Sequence, residues 1–203
     1  MIRRVIASTL TALCISGMAG TSVFALELED LSQTFAKQTL STGRFVQERE
    51  LAGFPKPMRT EGVYYLNLKK GIVWVTKKPF AHTMIFSDAG IRTQSEYSDS
   101  SLSSRDIPYL KTVNELMLAI LGADTGRLSR DFEVKLTGSP DHWTMTLVTR
   151  KDSSLNAAFS SMTVSGSDMP KVIEMTSRQN ETTRLTLSSQ KALKTWPKGI
   201  DPL

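Results

Sequence analysis

Histidine, cysteine and paired carboxylates most often carry proton transfer, nucleophilic attack or metal ligation. This sequence offers them in few usable arrangements. Its two histidines, His82 and His142, stand far apart, with no His-Glu-x-x-His spacing and no third ligand beside either. The single cysteine, Cys14, lies in an apolar N-terminal stretch, so nothing downstream of it can form a disulfide or a thiolate site. No Gly-x-Ser-x-Gly anchors a serine nucleophile. Gly122 and Gly126 enclose Ala-Asp-Thr without the Lys-Ser/Thr of a phosphate loop. Acidic residues are dispersed, so no glycosidase-like carboxylate pair can be nominated. The sequence therefore predicts no catalytic residue, no metal ligand and no cofactor.

What the chain does hold is apolar bulk of adaptable shape. Phe45, Tyr65, Ile72, Trp74, Phe80, Met84, Phe86, Trp143 and Met145 are predicted to share one face of a sheet, joined by Met162 and Met175. Methionine is flexible and polarizable and suits surfaces that take acyl chains. A curved sheet capped by helices over such a face is a physical recipe for a lipid cavity. The same residues also make an ordinary filled core, and the residue types alone leave both readings open.

The elements that would position these residues are mostly strands. Residues 63–68 and 72–75 are apolar runs rich in β-branched and aromatic residues on either side of Lys69-Lys70-Gly71, with Pro79 ending the second. That is a hairpin with glycine at a turn position that favours φ > 0. Before it, residues 26–39 place Leu28, Leu31 and Phe35 at near-helical spacing, and residues 43–51 read as a strand. After it, residues 82–87 alternate, 91–97 form a weaker strand, and the serine-rich 98–105 reads as a loop. In residues 109–121 the spacing of Leu110, Val113, Leu116, Met117, Ile120 and Leu121 predicts a helix ended by Gly122. Leu116, Met117 and Ile120 would face the sheet as a plug or lid. Four alternating pairs follow, Val134/Leu136, Met145/Leu147, Ile173/Met175 and Leu185/Leu187, separated by turns. The expected fold class is mainly β (α+β): a large, curved antiparallel sheet with one apolar face, covered by helices.

The N-terminus is read separately. Arg3 and Arg4 precede a mostly apolar run, and Val23-Phe24-Ala25 fits a signal-peptidase site. Residues 1–25 are expected to be a cleaved signal peptide and residues 26–203 a single domain. The formal charge of +5 falls to +3 without those two arginines, and no Lys/Arg cluster interleaved with aromatics suggests nucleic-acid binding.

In order and spacing, these features resemble the LolA-like family of periplasmic outer-membrane lipoprotein carriers. The residues that carry the resemblance are the first helix followed by Phe45-Val46-Gln47, Gly62 and its distance to Trp74, Pro79, and the turn Ser87-Asp88-Ala89-Gly90. The mid-chain helix, Asp131-Phe132, residues 143–147 and the last strands follow in the family's order. The resemblance implies an incomplete, roughly eleven-stranded barrel holding acyl chains against its concave face beneath helices, with Ile72 and Trp74 on a cavity strand. It implies lipoproteins or acyl lipids as cargo, an inner-membrane release complex and an outer-membrane acceptor as partners, a monomer, no enzymatic activity and a periplasmic location. An envelope interaction module with a filled core, or an accessory protein handling acyl intermediates in a lipid or polyene pathway, are the alternatives.

Overall fold

The computed structural model describes residues 28–36, 39–96, 98–103, 105, 109–122 and 124–200. The expected signal peptide lies outside them. In chain order the elements are α1 (Leu28–Ala36), β1 (Leu40–Arg49), β2 (Met58–Asn67), β3 (Gly71–Lys78), β4 (His82–Ser87), β5 (Gly90–Ser95) and β6 (Asp99–Ser103). Then come α2 (Tyr109–Gly122), α3 (Thr125–Asp131), β7 (Phe132–Ser139), β8 (His142–Thr149), a short 3₁₀ turn (Ser154–Ala157), β9 (Phe159–Gly166), β10 (Pro170–Ser177) and β11 (Thr182–Ala192).

All eleven strands form one antiparallel sheet in the order β6-β5-β4-β3-β2-β1-β11-β10-β9-β8-β7. The sheet is not closed, since β6 and β7 remain edges. Its two halves meet where β1 pairs with β11, Phe45 opposite Leu187. Each half is a meander of neighbouring strands, which short turns permit. In the central hairpin Asn67 pairs with Gly71 and Tyr64 with Trp74. Gly71 has φ +147°, and a Cβ there would lie 1.9 Å from the Phe86 carbonyl oxygen, so the turn requires glycine.

The core sits on one face, where alternate residues of most strands meet α1, α2 and α3. Leu31 and Phe35 of α1, Leu116, Ala119 and Ile120 of α2, and Leu128 of α3 are buried against that face. The opposite face is crossed by a row of charges. Arg184 pairs with Glu174 (2.5 Å), Arg59 with Glu48 (2.7 Å), and Lys78 with Glu61 (2.8 Å). The Lys78 ammonium beside Glu61 holds its carboxyl below the usual carboxylate range. A smaller apolar group also lies on this outer face. There Tyr65, Val73 and Ile85 stand in register, and Trp196 of the C-terminal tail packs edge-on to Tyr65 at 6.3 Å.

Two elements differ from the sequence reading. The serine-rich segment is a strand, β6, paired with β5 through Leu102 and Ile91. As an exposed edge strand it gains only backbone pairing, so its side chains carry no alternation to read. The short helix α3 was not expected. Its single buried apolar residue, Leu128, leaves no helical period, and its start depends on Asp124, which accepts from the Arg127 amide at 3.0 Å.

Candidate functional site

The inner face is built outward from a glycine. Gly62 lies opposite Phe45 on β1, and a Cβ at Gly62 would meet the Val75 carbonyl oxygen at 2.0 Å and the Phe45 ring at 2.9 Å. With that space open, the Phe45 ring lies over Gly62 and against Trp74, centroids 4.2 Å apart. Tyr64 stacks on Trp74 from the side at 5.9 Å. Gly43 plays the same part for Tyr64, whose ring atoms would stand 2.8 Å from an added Cβ. Three aromatic rings therefore share the floor of the left half of the sheet. Burial pushes the Tyr64 phenol up to about 12, with a hydrogen bond to Gln190 acting the other way.

The right half repeats the design with Trp143 on β8. Its indole donates to the Ser167 carbonyl at 2.5 Å, and its ring meets Phe35 of α1 at 5.7 Å. Met145 and Leu147 continue the row along β8, opposite Val164 and Met162 of β9 respectively. Over this floor α2 lies against strands β3 to β5 and against the other two helices. Asn114 of α2 is fully buried and donates to Asp88 of the β4–β5 turn at 3.2 Å, while its own carbonyl oxygen has no partner.

Most of the predicted site residues converge on this face. Phe45, Ile72, Trp74, Phe86, Trp143 and Met145 are buried in the core, and Met84 packs against it while keeping some exposure. Leu116 and Ile120 are buried beneath the helical cover, and Met117 is half-buried beside them. Two expectations are corrected. Tyr65 points to the outer face, where it meets Trp196, and its neighbour Tyr64 takes the inner position. Strand β2 is apolar on both faces because the C-terminal tail covers the outer one, so alternation could not separate the two tyrosines by hydropathy. Phe80 lies beyond the last β2–β3 pair, Glu61 with Lys78, and is 81% exposed on a connection rather than part of any cavity. Sequence reasoning also missed Leu66 and Val164 on the inner face; of the two only Val164, between Thr163 and Ser165, carried the alternation with polar neighbours that marks that face.

The volume beneath the helices is occupied by their own side chains. The void lined by Phe35, Ser41, Leu66, Leu121, Met169 and Pro170 measures ≈ 10 Å³, as does one between α2 and α3. Spaces of that size hold at most one water. A larger hollow of ≈ 190 Å³ lies among the helices and Leu68, and one of ≈ 330 Å³ lies at the β4–β6 edge. Among the described residues no three His, Cys, Asp or Glu side chains gather into a metal-binding group.

An open antiparallel sheet whose apolar inner face is covered by helices is the setting for the comparison with known proteins. A family model described as "Outer membrane lipoprotein carrier protein LolA-like" matches residues 20–195. The chain belongs to this LolA-like family. Among solved structures, it is similar to a LolA superfamily protein from Nitrosomonas europaea, at 8% identity and a TM-score of 0.46, covering 85% of this chain and 96% of that one. A putative outer membrane lipoprotein-sorting protein domain from Vibrio parahaemolyticus gives 10% identity and a TM-score of 0.44, covering 85% and 96%. MucB from Pseudomonas aeruginosa, in its complex with MucA, gives 12% identity and a TM-score of 0.49; 84% of this chain is covered, and it spans 59% of that one. A comparison with curated proteins gives no match. No helix among the described residues of this LolA-like chain is long and apolar enough to cross a membrane.

Proposed function

We propose that this LolA-like chain is a non-enzymatic carrier that takes an acyl chain of a lipoprotein, or of a related lipid, between the inner face of its sheet and its helices. The observation that supports this is the unequal construction of floor and cover. The floor is fixed by backbone ladders between neighbouring strands, whereas α1 and α2 contribute side chains laid onto it. Displacing those helices exposes a contiguous apolar floor that includes Phe45, Ile72, Trp74, Met84, Phe86 and Met145, with Trp143 on the far half. Leu116, Met117 and Ile120 then form the movable cover. Burial is worth ~0.8 kcal/mol per CH₂, on the order of ten kcal/mol for a chain of about sixteen carbons. Much of that is exchanged against the contacts the lid gives up, which leaves an affinity from which cargo can be released. Residues 1–25 act as a signal peptide cut after Ala25, and the carrier works as a monomer in the periplasm between an inner-membrane release complex and an outer-membrane acceptor.

Native mass spectrometry of protein purified gently from the periplasm tests this reading. The expected result is a chain beginning at Leu26 with a bound mass matching a triacylated protein or an acyl lipid. A ligand-free mass with no uptake of added acyl chains overturns it. Met84→Asp, which places a charge on the floor at a side chain that keeps some exposure, is expected to abolish uptake without unfolding the protein.

The small voids beneath α2 favour a second reading, in which the helices never leave the sheet and the molecule is an interaction module of the envelope. That protein gains no thermal stability from long-chain lipid, because nothing binds its native state.

A further inference from the structure

Among the described residues, Phe54, Met58, Phe80, Leu102 and Val148 are the large apolar side chains left well exposed. Three of them share one end of the sheet. Arg49 of β1 pairs with Met58 of β2, and Glu61 of β2 pairs with Lys78 of β3. The β1–β2 and β3–β4 connections therefore leave the sheet at the same end, on either side of the β2–β3 pair. Phe80 is 81% exposed, Phe54 64% and Met58 52%, values far above those of the apolar side chains in the core. Pro55 and Pro57 stiffen one connection and Pro79 the other, so both aromatic rings are presented from backbones with little freedom to lose. Residues 51–58 and 77–82 together contain Lys56, Lys77 and Lys78 and no acidic residue, and of the three Lys78 is paired with Glu61 of β2. All three lysines are exposed.

We propose that these two loops form a docking tip for the surface of an anionic phospholipid bilayer. Phe54, Met58 and Phe80 enter the interfacial region, and Lys56 and Lys77 pair with headgroup phosphates. Protruding apolar side chains with the exposed Lys56 and Lys77 beside them match what holds peripheral proteins at anionic interfaces. A protein-binding hot spot would instead be expected to offer a packed pocket with a polar rim, and the hollows of the described residues are lined by other segments. The tip adds membrane docking to the carrier reading and does not depend on it. It lies on the outer end of the sheet whether or not the inner face takes a chain.

The test is flotation of the purified protein with vesicles of phosphatidylglycerol and phosphatidylcholine, and with vesicles of phosphatidylcholine alone. Strong binding is expected to the first, with weak binding to the second and a decline as salt is raised. F54S/F80S should reduce partitioning at least about tenfold. K56E/K77E should reduce it several-fold on the anionic vesicles and leave the weak binding to phosphatidylcholine unchanged. Melting temperature checks that each variant is folded, and F80S alone replaces the double variant if that one is not. Absence of binding to anionic vesicles overturns the proposal, as does binding indifferent to these substitutions. Cross-linking from position 80 to an envelope protein without any vesicle binding overturns it too, and reassigns the tip to a protein partner.

Discussion

At Gly62 a single missing methyl group decides whether the aromatic floor can form. An added Cβ would sit 2.0 Å from a backbone carbonyl oxygen, which cannot swing aside as a flexible side chain can. Gly62→Ala is expected to cost about 1–3 kcal/mol, by forcing β2 and β3 apart or by turning the Phe45 ring out. A lower urea midpoint at unchanged slope reads this out. Tyr64 makes a different prediction. Its phenol is ordinarily at 10.0 and is raised to about 12 in the folded chain. As pH climbs past 10 the unfolded chain loses this proton while the folded chain keeps it, so stability falls with pH across that window. The shift corresponds to about 2–3 kcal/mol, fully present below pH 10 and lost by the time pH passes the folded value. Tyr64→Phe cannot ionise and should show a shallower alkaline decline in chemical denaturation, even if its stability at neutral pH is lower.

Among the elements, the sheet and its cover are held by different forces. Strand pairs are backbone ladders, and α2 is held by side-chain packing together with the Asn114–Asp88 hydrogen bond. Asp88 is exposed and Asn114 fully buried, so Asp88→Ala removes a partner the helix cannot easily replace. A cost of about 1–3 kcal/mol is expected, because a buried amide is left without its acceptor. Faster amide exchange should be confined to α2 and its neighbours, with the strands little changed. This division also explains what was legible beforehand. The central hairpin, β4, α2 and the paired alternations of β8, β10 and β11 could be read because burial on one face imposes a period. Strand β6 and helix α3 could not, since the first buries almost nothing and the second only Leu128. Tyr65 was misplaced because β2 is covered on both faces by parts of the chain distant in sequence, the helices on one side and the Trp196 tail on the other. The placement of Phe80 required the end of the β2–β3 ladder, which composition does not mark.

For the molecule as a whole, the open sheet must be a stable frame without its helices if a ligand is to take their place. The order of strands gives it backbone ladders that no helix interrupts. Every strand from β6 to β7 has a hydrogen-bonded neighbour, and the seam between the chain's two halves runs through β1 and β11 at the centre, away from both edges. In the proposed carrier a ligand entering under α2 trades one apolar cover for another while the frame stays paired. Two observables should then move in opposite directions. Added long-chain fatty acid or lysophospholipid binds the native state alone and raises its melting temperature, by about 5–10 °C at a hundredfold excess over Kd for a domain of this size. Amide protection in α1 and α2 should fall at the same ligand concentration, because their buried side chains have given up the floor. A permanently filled core changes in neither measurement. A ligand bound only at the β4–β6 edge raises the melting temperature without loosening the helices, and that result would locate binding outside the lid. Opposed shifts, stabilised strands and loosened helices in one titration, are what a lidded carrier requires.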